Sequence, residues 1–250
     1  MPGVEGRVTL VTGAGRGIGR VAAELLASRG ARVMAVARSE NELQTLGLDY
    51  VVADLGTPDG CALAVQETRN RLGPVAILVC NHGIGSAHER VIWEQEPEVW
   101  HESMRINLDG PFFLSRVVVK DMIEQGYGRF VFTSSTSAQV AEYAGSAYNS
   151  SKSGLLGLMR SLAQDAGSYG VTSNAVLPGW VRTPMAETSA EAEAEQRGIT
   201  QDEVWAERAA IYPAGRVVTP KEVAEVIAFL ASEESSGVNG EALAVALGVI

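Results

Sequence analysis

The sequence is poor in the residues that staple, chelate or anchor a chain. Of its 250 residues two are cysteine and three are histidine. Cys61 and Cys80 stand alone, with no CxxC pair, so they read as reduced, packed thiols of a cytoplasmic protein. His82, His88 and His101 lack the spacing of a metal site, and no metal is expected. No run approaches the roughly 18 apolar residues of a membrane span, and the first residues lead into a strand pattern without the apolar stretch of a secretion signal. Positive charge is short as well: 20 Lys and Arg face 30 Asp and Glu, a formal net charge of -10. That balance repels a phosphate backbone and an anionic bilayer, which removes nucleic acid and membrane from the expected partners. No Pro- or Ser-rich linker divides the chain, so residues 1–250 read as one domain.

What is present suits a buried core, with 46% of residues hydrophobic and 20% charged. Short β-branched runs at 8–12, 32–37, 50–53, 75–80, 129–133, 172–176 and 242–246 alternate with helical patterns and read as seven strands. Most are apolar on both faces, as parallel strands covered by helices must be. The segments between them are long enough for right-handed crossovers, so the expected fold class is α/β, a doubly wound parallel sheet with helices on both faces. The first crossover turns Leu25 and Leu26 toward the sheet and stops at Gly30. A helix is expected over 148–167, where Leu155, Leu158, Met159 and Leu162 form a stripe for core packing. Residues 184–212 break the alternation and hold Glu187, Glu191, Glu193, Glu195, Asp202, Glu203 and Glu207. They fall beyond the carboxyl ends of the strands, where open α/β sheets bind ligands, and read as a substrate lid made of solvated amphipathic helices.

Two patterns carry chemistry. Directly after the first strand comes Thr12-Gly13-Ala14-Gly15-Arg16-Gly17-Ile18-Gly19. Glycines there permit a tight turn and let a pyrophosphate approach the backbone at a helix N-terminus. Farther on, Tyr148 and Lys152 are four apart and share one helix face. Lowering a phenol pKa by about 3 units takes roughly 4 kcal/mol. One ammonium at about 4 Å supplies energy of that order at an effective dielectric near 20.

The glycine spacing resembles the TGxxxGxG turn of the short-chain dehydrogenase/reductase superfamily. The matches continue in chain order through Asp54, Asn81-His82-Gly83, Asn107, Ser135, Tyr148-Asn149-Ser150-Ser151-Lys152 and Pro178-Gly179, so the likeness spans the whole chain. The resemblance implies a Rossmann-like, seven-stranded single domain and NAD(P)-dependent oxidoreduction at CH–OH groups. It makes Tyr148 the general acid or base and places Lys152 beside it, bonded to the nicotinamide ribose. Ser135 would orient the substrate oxygen, with Ser134 and Ser137 as alternatives, and Asn107 would hold a water that links Lys152 to solvent. Cofactor contacts are implied for Gly13, Gly15, Arg16, Gly17, Ile18 and Gly19, for Asp54 and Leu55 at the adenine, for Asn81, His82 and Gly83 along the cleft, and for Pro178, Gly179, Val181 and Thr183 near the nicotinamide.

NAD-preferring members carry an acid at the end of the second strand, where this chain has Ala37-Arg38-Ser39. Arg38, helped by Arg16, suits a 2′-phosphate, so NADP(H) is favoured and NAD(H) is the alternative. The chain departs from its relatives at His82, at Ala246-Leu247-Gly248 in a region of subunit contacts, and at two carrier-docking places. A homotetramer is still expected. Reductases of acyl-carrier thioesters have basic residues where this chain has Gln125-Gly126-Tyr127 and Ser168-Tyr169, and the lid is acidic. The expected partner is therefore a small, neutral, partly apolar carbonyl or alcohol, with Trp180, Met185, Trp205 and Tyr212 as pocket walls. The alternatives are a 3-oxoacyl thioester reductase and a non-catalytic dinucleotide-binding sensor or scaffold, the latter disfavoured by the ordered Ser135, Tyr148, Lys152 and Asn107.

Overall fold

Strand β1, Val8–Thr12, buries all five of its side chains, because sheet neighbours flank it and helices cover both faces. The computed structural model describes residues 3–87 and 89–249. Among the histidines weighed above, His88 lies outside the described residues. Among the described residues seven strands form one parallel sheet in the order β3-β2-β1-β4-β5-β6-β7. The others are β2 (Arg32–Ala37), β3 (Asp49–Val52), β4 (Ile77–Cys80), β5 (Gly128–Thr133), β6 (Val171–Pro178) and β7 (Ala242–Val245). The order reverses between β1 and β4, and the crevice at the carboxyl ends of those two strands is where a doubly wound sheet receives a ligand.

Helices α1 (Gly17–Ser28), α2 (Glu40–Gln44), α3 (Pro58–Leu72), α4 (Pro97–Met104), α5 (Gly110–Gln125), α6 (Ser146–Ala166), α7 (Pro184–Arg197), α8 (Gln201–Ala210) and α9 (Pro220–Leu230) complete the chain. Two large cores form, one on each sheet face. Leu10, Phe130, Phe132, Leu155 and Met159 belong to one; Val11, Leu26, Ile77 and Ile227 belong to the other. The stripe expected on the long helix packs as read, with Leu158 and Leu162 partly buried against the first core. Leu26 is fully buried on α1 and Gly30 follows at φ 89°.

The segment 184–212 holds a helix pair. Thr183 caps α7 and Thr200 opens α8 with a capping box. The pair has its own small core of Ala186, Ala190, Ala194, Val204 and Trp205. Here the expectation for Trp205 is corrected. It is a core residue of this helix pair and not a free pocket wall, because its ring packs between the helices while Nε1 donates to Glu187 at 2.9 Å. Trp180 joins the same cluster, 3.6 Å beneath the Arg208 guanidinium.

Candidate active site

The glycine turn is built for close approach. Gly13 and Gly17 take φ 63° and 58°, a conformation costly for any residue with a side chain. A Cβ on Gly19 would collide with the Gly13 carbonyl, and one on Gly13 would meet the His82 backbone at 2.8 Å. Helix α1 then begins with no capping side chain and no acid in its first turn, whereas α3, α7, α8 and α9 are each capped by a threonine. Uncapped N–H groups beside a side-chain-free turn fit the pyrophosphate of a dinucleotide.

The cleft brings the expected cofactor residues together, with qualifications the motifs did not carry. Thr12 ties the two switch-point strands: its Oγ1 donates to Val79 O and accepts from Asn81 N at 2.9 Å. Thr183 flanks the turn, its methyl 3.4 Å from where a Gly17 Cβ would stand. Asp54 follows β3 with one oxygen accepting from Gly56 N at 3.0 Å and the other paired with Arg105 at 3.2 Å, contacts that hold its carboxyl below the usual range. Arg105 was absent from the sequence reading. So was Glu42, whose carboxylate lies against Gly15 and 3.7 Å from Arg16, so Arg16 meets an acid of its own chain. Arg38 is exposed at the end of β2. The cofactor contact expected of His82 is corrected for its side chain: Nδ1 lies 2.8 Å from Thr12 Oγ1 and Nε2 points at Gly110, shut away from solvent. Burial drives that imidazole down to about 3, so it is neutral in the working range.

The reacting end is assembled from four elements. Ser135 follows β5, and Tyr148 and Lys152 stand on α6. Lys152 is buried, donates to Thr133 O at 3.0 Å and lies 5.6 Å from the centre of the Tyr148 ring. Burial pulls its ammonium down to about 8. The Tyr148 phenol is pushed up to about 12, chiefly by burial, against the pull of the Ser135 hydroxyl and with the carboxylates of Glu142 and Glu89 pushing the same way. The lowered phenol expected from Lys152 is thus reversed here. Desolvation first and then the two acids set the direction, and Tyr148 holds its proton at neutral pH.

Asn107 lies in a π-helical turn, Arg105–Asp109, where a plain helix was expected. Its amide donates to Ile84 O and Ser151 Oγ, both at 3.1 Å, and accepts from Ile84 N at 2.8 Å. Both amide hydrogens are therefore committed to the protein. A water linking Lys152 to solvent would have only the second lone pair of its Oδ1 to use. Lys152 and Asn107 converge on Gly83, where a Cβ would lie 3.5 Å from Nζ and 3.0 Å from Oδ1.

Met185 lies against Gly85, 3.4 Å from where a Cβ there would stand. The Tyr212 hydroxyl accepts from Trp180 N at 2.6 Å and so braces the strand end at Gly179. A cavity of about 280 Å³ is lined by Ile92, Trp93, Glu142 and Tyr143 among others, none of which the motifs signalled. Both cysteines are buried thiols kept protonated by burial. Among the described residues no cluster of His, Cys, Asp and Glu could hold a metal, and no helix is long and apolar enough to cross a membrane.

Known proteins agree with this geometry. A family model described as enoyl-(acyl carrier protein) reductase matches residues 13–249. The 3-oxoacyl-(acyl-carrier-protein) reductase FabG of Escherichia coli is 36% identical over 246 residues, covering 96% of this chain and 95% of that protein. A variant of actinorhodin polyketide ketoreductase, solved with NADPH, superposes with a TM-score of 0.93 at 33% identity over 97% of each chain. Levodione reductase gives 0.92 at 30% identity, over 98% of this chain and 97% of that one. With its sheet order, its glycine turn and its Tyr148–Lys152 pair in one cleft, the chain belongs to the short-chain dehydrogenase/reductase superfamily and is an oxidoreductase of the ketoreductase kind.

Proposed function

We propose that the protein is an NADP(H)-dependent carbonyl reductase, reversible as a secondary alcohol dehydrogenase, acting on a small ketone or alcohol. The observation that carries this reading is the convergence of Ser135, Tyr148 and Lys152 in a buried cleft, with Tyr148 protonated as a general acid for carbonyl reduction must be. A nicotinamide cofactor supplies hydride exchange with the substrate carbon when bound. The protein's part is to orient the substrate oxygen with Ser135, to give or take a proton at the Tyr148 oxygen, and to hold Lys152 as a fixed cation beneath it. Exposed Arg38, together with Ser39, supports NADP(H), as does the NADPH solved with the actinorhodin relative. The pairing of Arg16 with Glu42 shifts the weight of that selection onto Arg38.

A second reading, 3-oxoacyl thioester reduction, is favoured by what the Escherichia coli relative does and by the structure of the lid. Glu187, Glu193 and Glu207 are paired with Arg182, Arg208 and Arg197, and Glu203 is spent on a cap, so the lid repels an acidic carrier less than its composition suggests.

The test is a panel of ketones, secondary alcohols and acetoacetyl-CoA assayed with NADPH and NADH. Turnover with NADPH is expected, and Tyr148→Phe should abolish it while dinucleotide binding survives. Arg38→Ala should narrow the NADPH over NADH preference. Wild-type turnover by the phenylalanine variant sinks the assignment of Tyr148. An equal use of both cofactors that Arg38→Ala leaves unchanged sinks the cofactor choice.

A further inference from the structure

A cluster of large apolar side chains left in water marks a binding surface, since the fold itself gains nothing from it. Trp93 is 79% exposed, Tyr143 89% and Ile92 73%. All three line the cavity of about 280 Å³, which is several times the roughly 30 Å³ that one water takes. They come from two loops, Ile92 and Trp93 from the one after β4 and Tyr143 from the one between β5 and α6. Among the described residues the charged lining is Arg90 and Glu142, one of each sign, so the space suits an uncharged group.

Both loops are tied down, so the rings stay where they are. In the first, the Glu89 carboxylate accepts from Ala147 N at 2.8 Å and Tyr148 N at 2.7 Å, and Gln95 Oε1 accepts from Arg90 N at 2.9 Å to close the turn that carries Trp93. In the second, Asn149 Nδ2 donates to Glu142 O at 3.0 Å, and Ala144 takes φ 50°, a strained conformation for a residue with a side chain. Strain of this kind collects at ligand clamps and active sites. The cavity also adjoins the reacting end of the cleft. Its wall residues Ser146 and Asn149 straddle Tyr148 in the first turn of α6. Glu142 Oε1, on the same wall, lies 2.7 Å from Ser137 Oγ, which lies 2.9 Å from Ser135 Oγ.

We infer that Trp93 and Tyr143 form a subsite for an uncharged aryl substituent of the substrate, so that the preferred compound is an aryl-bearing ketone or alcohol and not a short aliphatic one. The inference rests on the proposed oxidoreductase reading and names the substrate class of that same site. A planar ring seated there covers faces of both aromatic side chains in stacked or edge contacts. A methyl or ethyl group would leave the cavity to water and both rings exposed. Because the two loops are held before any ligand arrives, little ordering cost is charged against that contact. Trp93 and Tyr143 are specificity residues, and their effect falls on the substituent that does not react.

The experiment compares kcat/KM for 4-phenyl-2-butanone and 2-butanone, which share the reacting methyl ketone, in wild type, Trp93→Ala and Tyr143→Ala. Wild type should prefer the phenyl compound by tenfold or more. Each variant should lower that ratio by about tenfold, through the KM of the phenyl ketone, the return from covering one face of an aromatic ring. Tyr169 is half exposed just beyond the other end of α6, and Tyr169→Ala should leave the ratio as it is. Light scattering on the same samples should show one oligomeric state throughout. A wild type without the preference, or a ratio that Trp93→Ala and Tyr143→Ala leave unchanged, overturns the inference. So does a loss of assembly in those two variants, which would make the patch a contact between copies of the chain, and so does turnover confined to acetoacetyl-CoA. Absence of turnover by wild type on every ketone, alcohol and thioester overturns the proposed function itself, and the two failures are thereby distinct.

Discussion

Lys152 keeps its ammonium where water does not reach, and the cost of that placement is legible in its titration. Burial lowers its pKa from the ordinary 10.5 to about 8. The unfolded chain therefore holds this proton more tightly than the folded one. Below about pH 8 the buried charge destabilises the fold in full, and the penalty fades as pH rises from about 8 toward the unfolded value. At 1.36 kcal/mol per unit the penalty is on the order of 3 kcal/mol, and the hydrogen bond to Thr133 O returns about 1 of it. Lys152→Met should accordingly be inactive yet more stable than wild type at pH 7 by about 2 kcal/mol in urea unfolding, with the gap closing toward pH 10. A gap independent of pH would show that packing and not charge is responsible. Tyr148 has the opposite sign: its raised phenol adds stability that is full below the ordinary tyrosine value and is lost as pH climbs through about 12.

At the scale of the element, α6 carries Tyr148 and Lys152 and does not supply its own cap. Gly145 precedes it without a side chain to accept from the first N–H groups. The acceptor arrives from the loop after β4, where Glu89 takes hydrogen bonds from Ala147 N at 2.8 Å and Tyr148 N at 2.7 Å. An acid at a helix N-terminus is favourable both as a cap and against the helix dipole. It also places a negative charge beside the phenol it anchors. Glu89→Ala should cost about 1 kcal/mol of stability, as other lost caps do, and lower kcat by loosening the Tyr148 backbone. Its diagnostic consequence is on titration. With the anion gone the Tyr148 phenol pKa falls, so the rising limb of the alcohol-oxidation profile, where the phenolate base forms, shifts to lower pH. A helix that merely frays would lose kcat at every pH with the limb in place, and that outcome would refute the electrostatic role.

Across the whole molecule, the sheet could be read from sequence because a strand buried on both faces leaves an unbroken apolar run. The expected 8–12 and 32–37 coincide with β1 and β2, while the expected 75–80 begins two residues before β4 does. The motif residues were legible because turn, strand end and helix face fix each to a local pattern. Glu42, Glu89 and Arg105 were not, since each acts on a partner brought near only by the fold; Glu89 and Tyr148 are 59 positions apart. Trp205 was placed on the pocket because composition names an aromatic residue without saying which face of the lid it covers. The α7–α8 pair is stitched by Arg208, which is buried, stacks 3.6 Å from Trp180 and 5.0 Å from Trp205, and pairs with Glu193 at 2.9 Å. Arg208→Met keeps the apolar stem but removes the ion pair and the bonds to Ala186 O and Ser189 Oγ. Glu193 is left with Arg197, so no charge is stranded. The loss should therefore be local. Proteolytic cleavage within residues 184–212 is expected to quicken by about tenfold, with a raised substrate KM, while the urea midpoint of the sheet core scarcely moves. If cleavage and the global midpoint change together, the helix pair is part of one cooperative unit and does not open on its own.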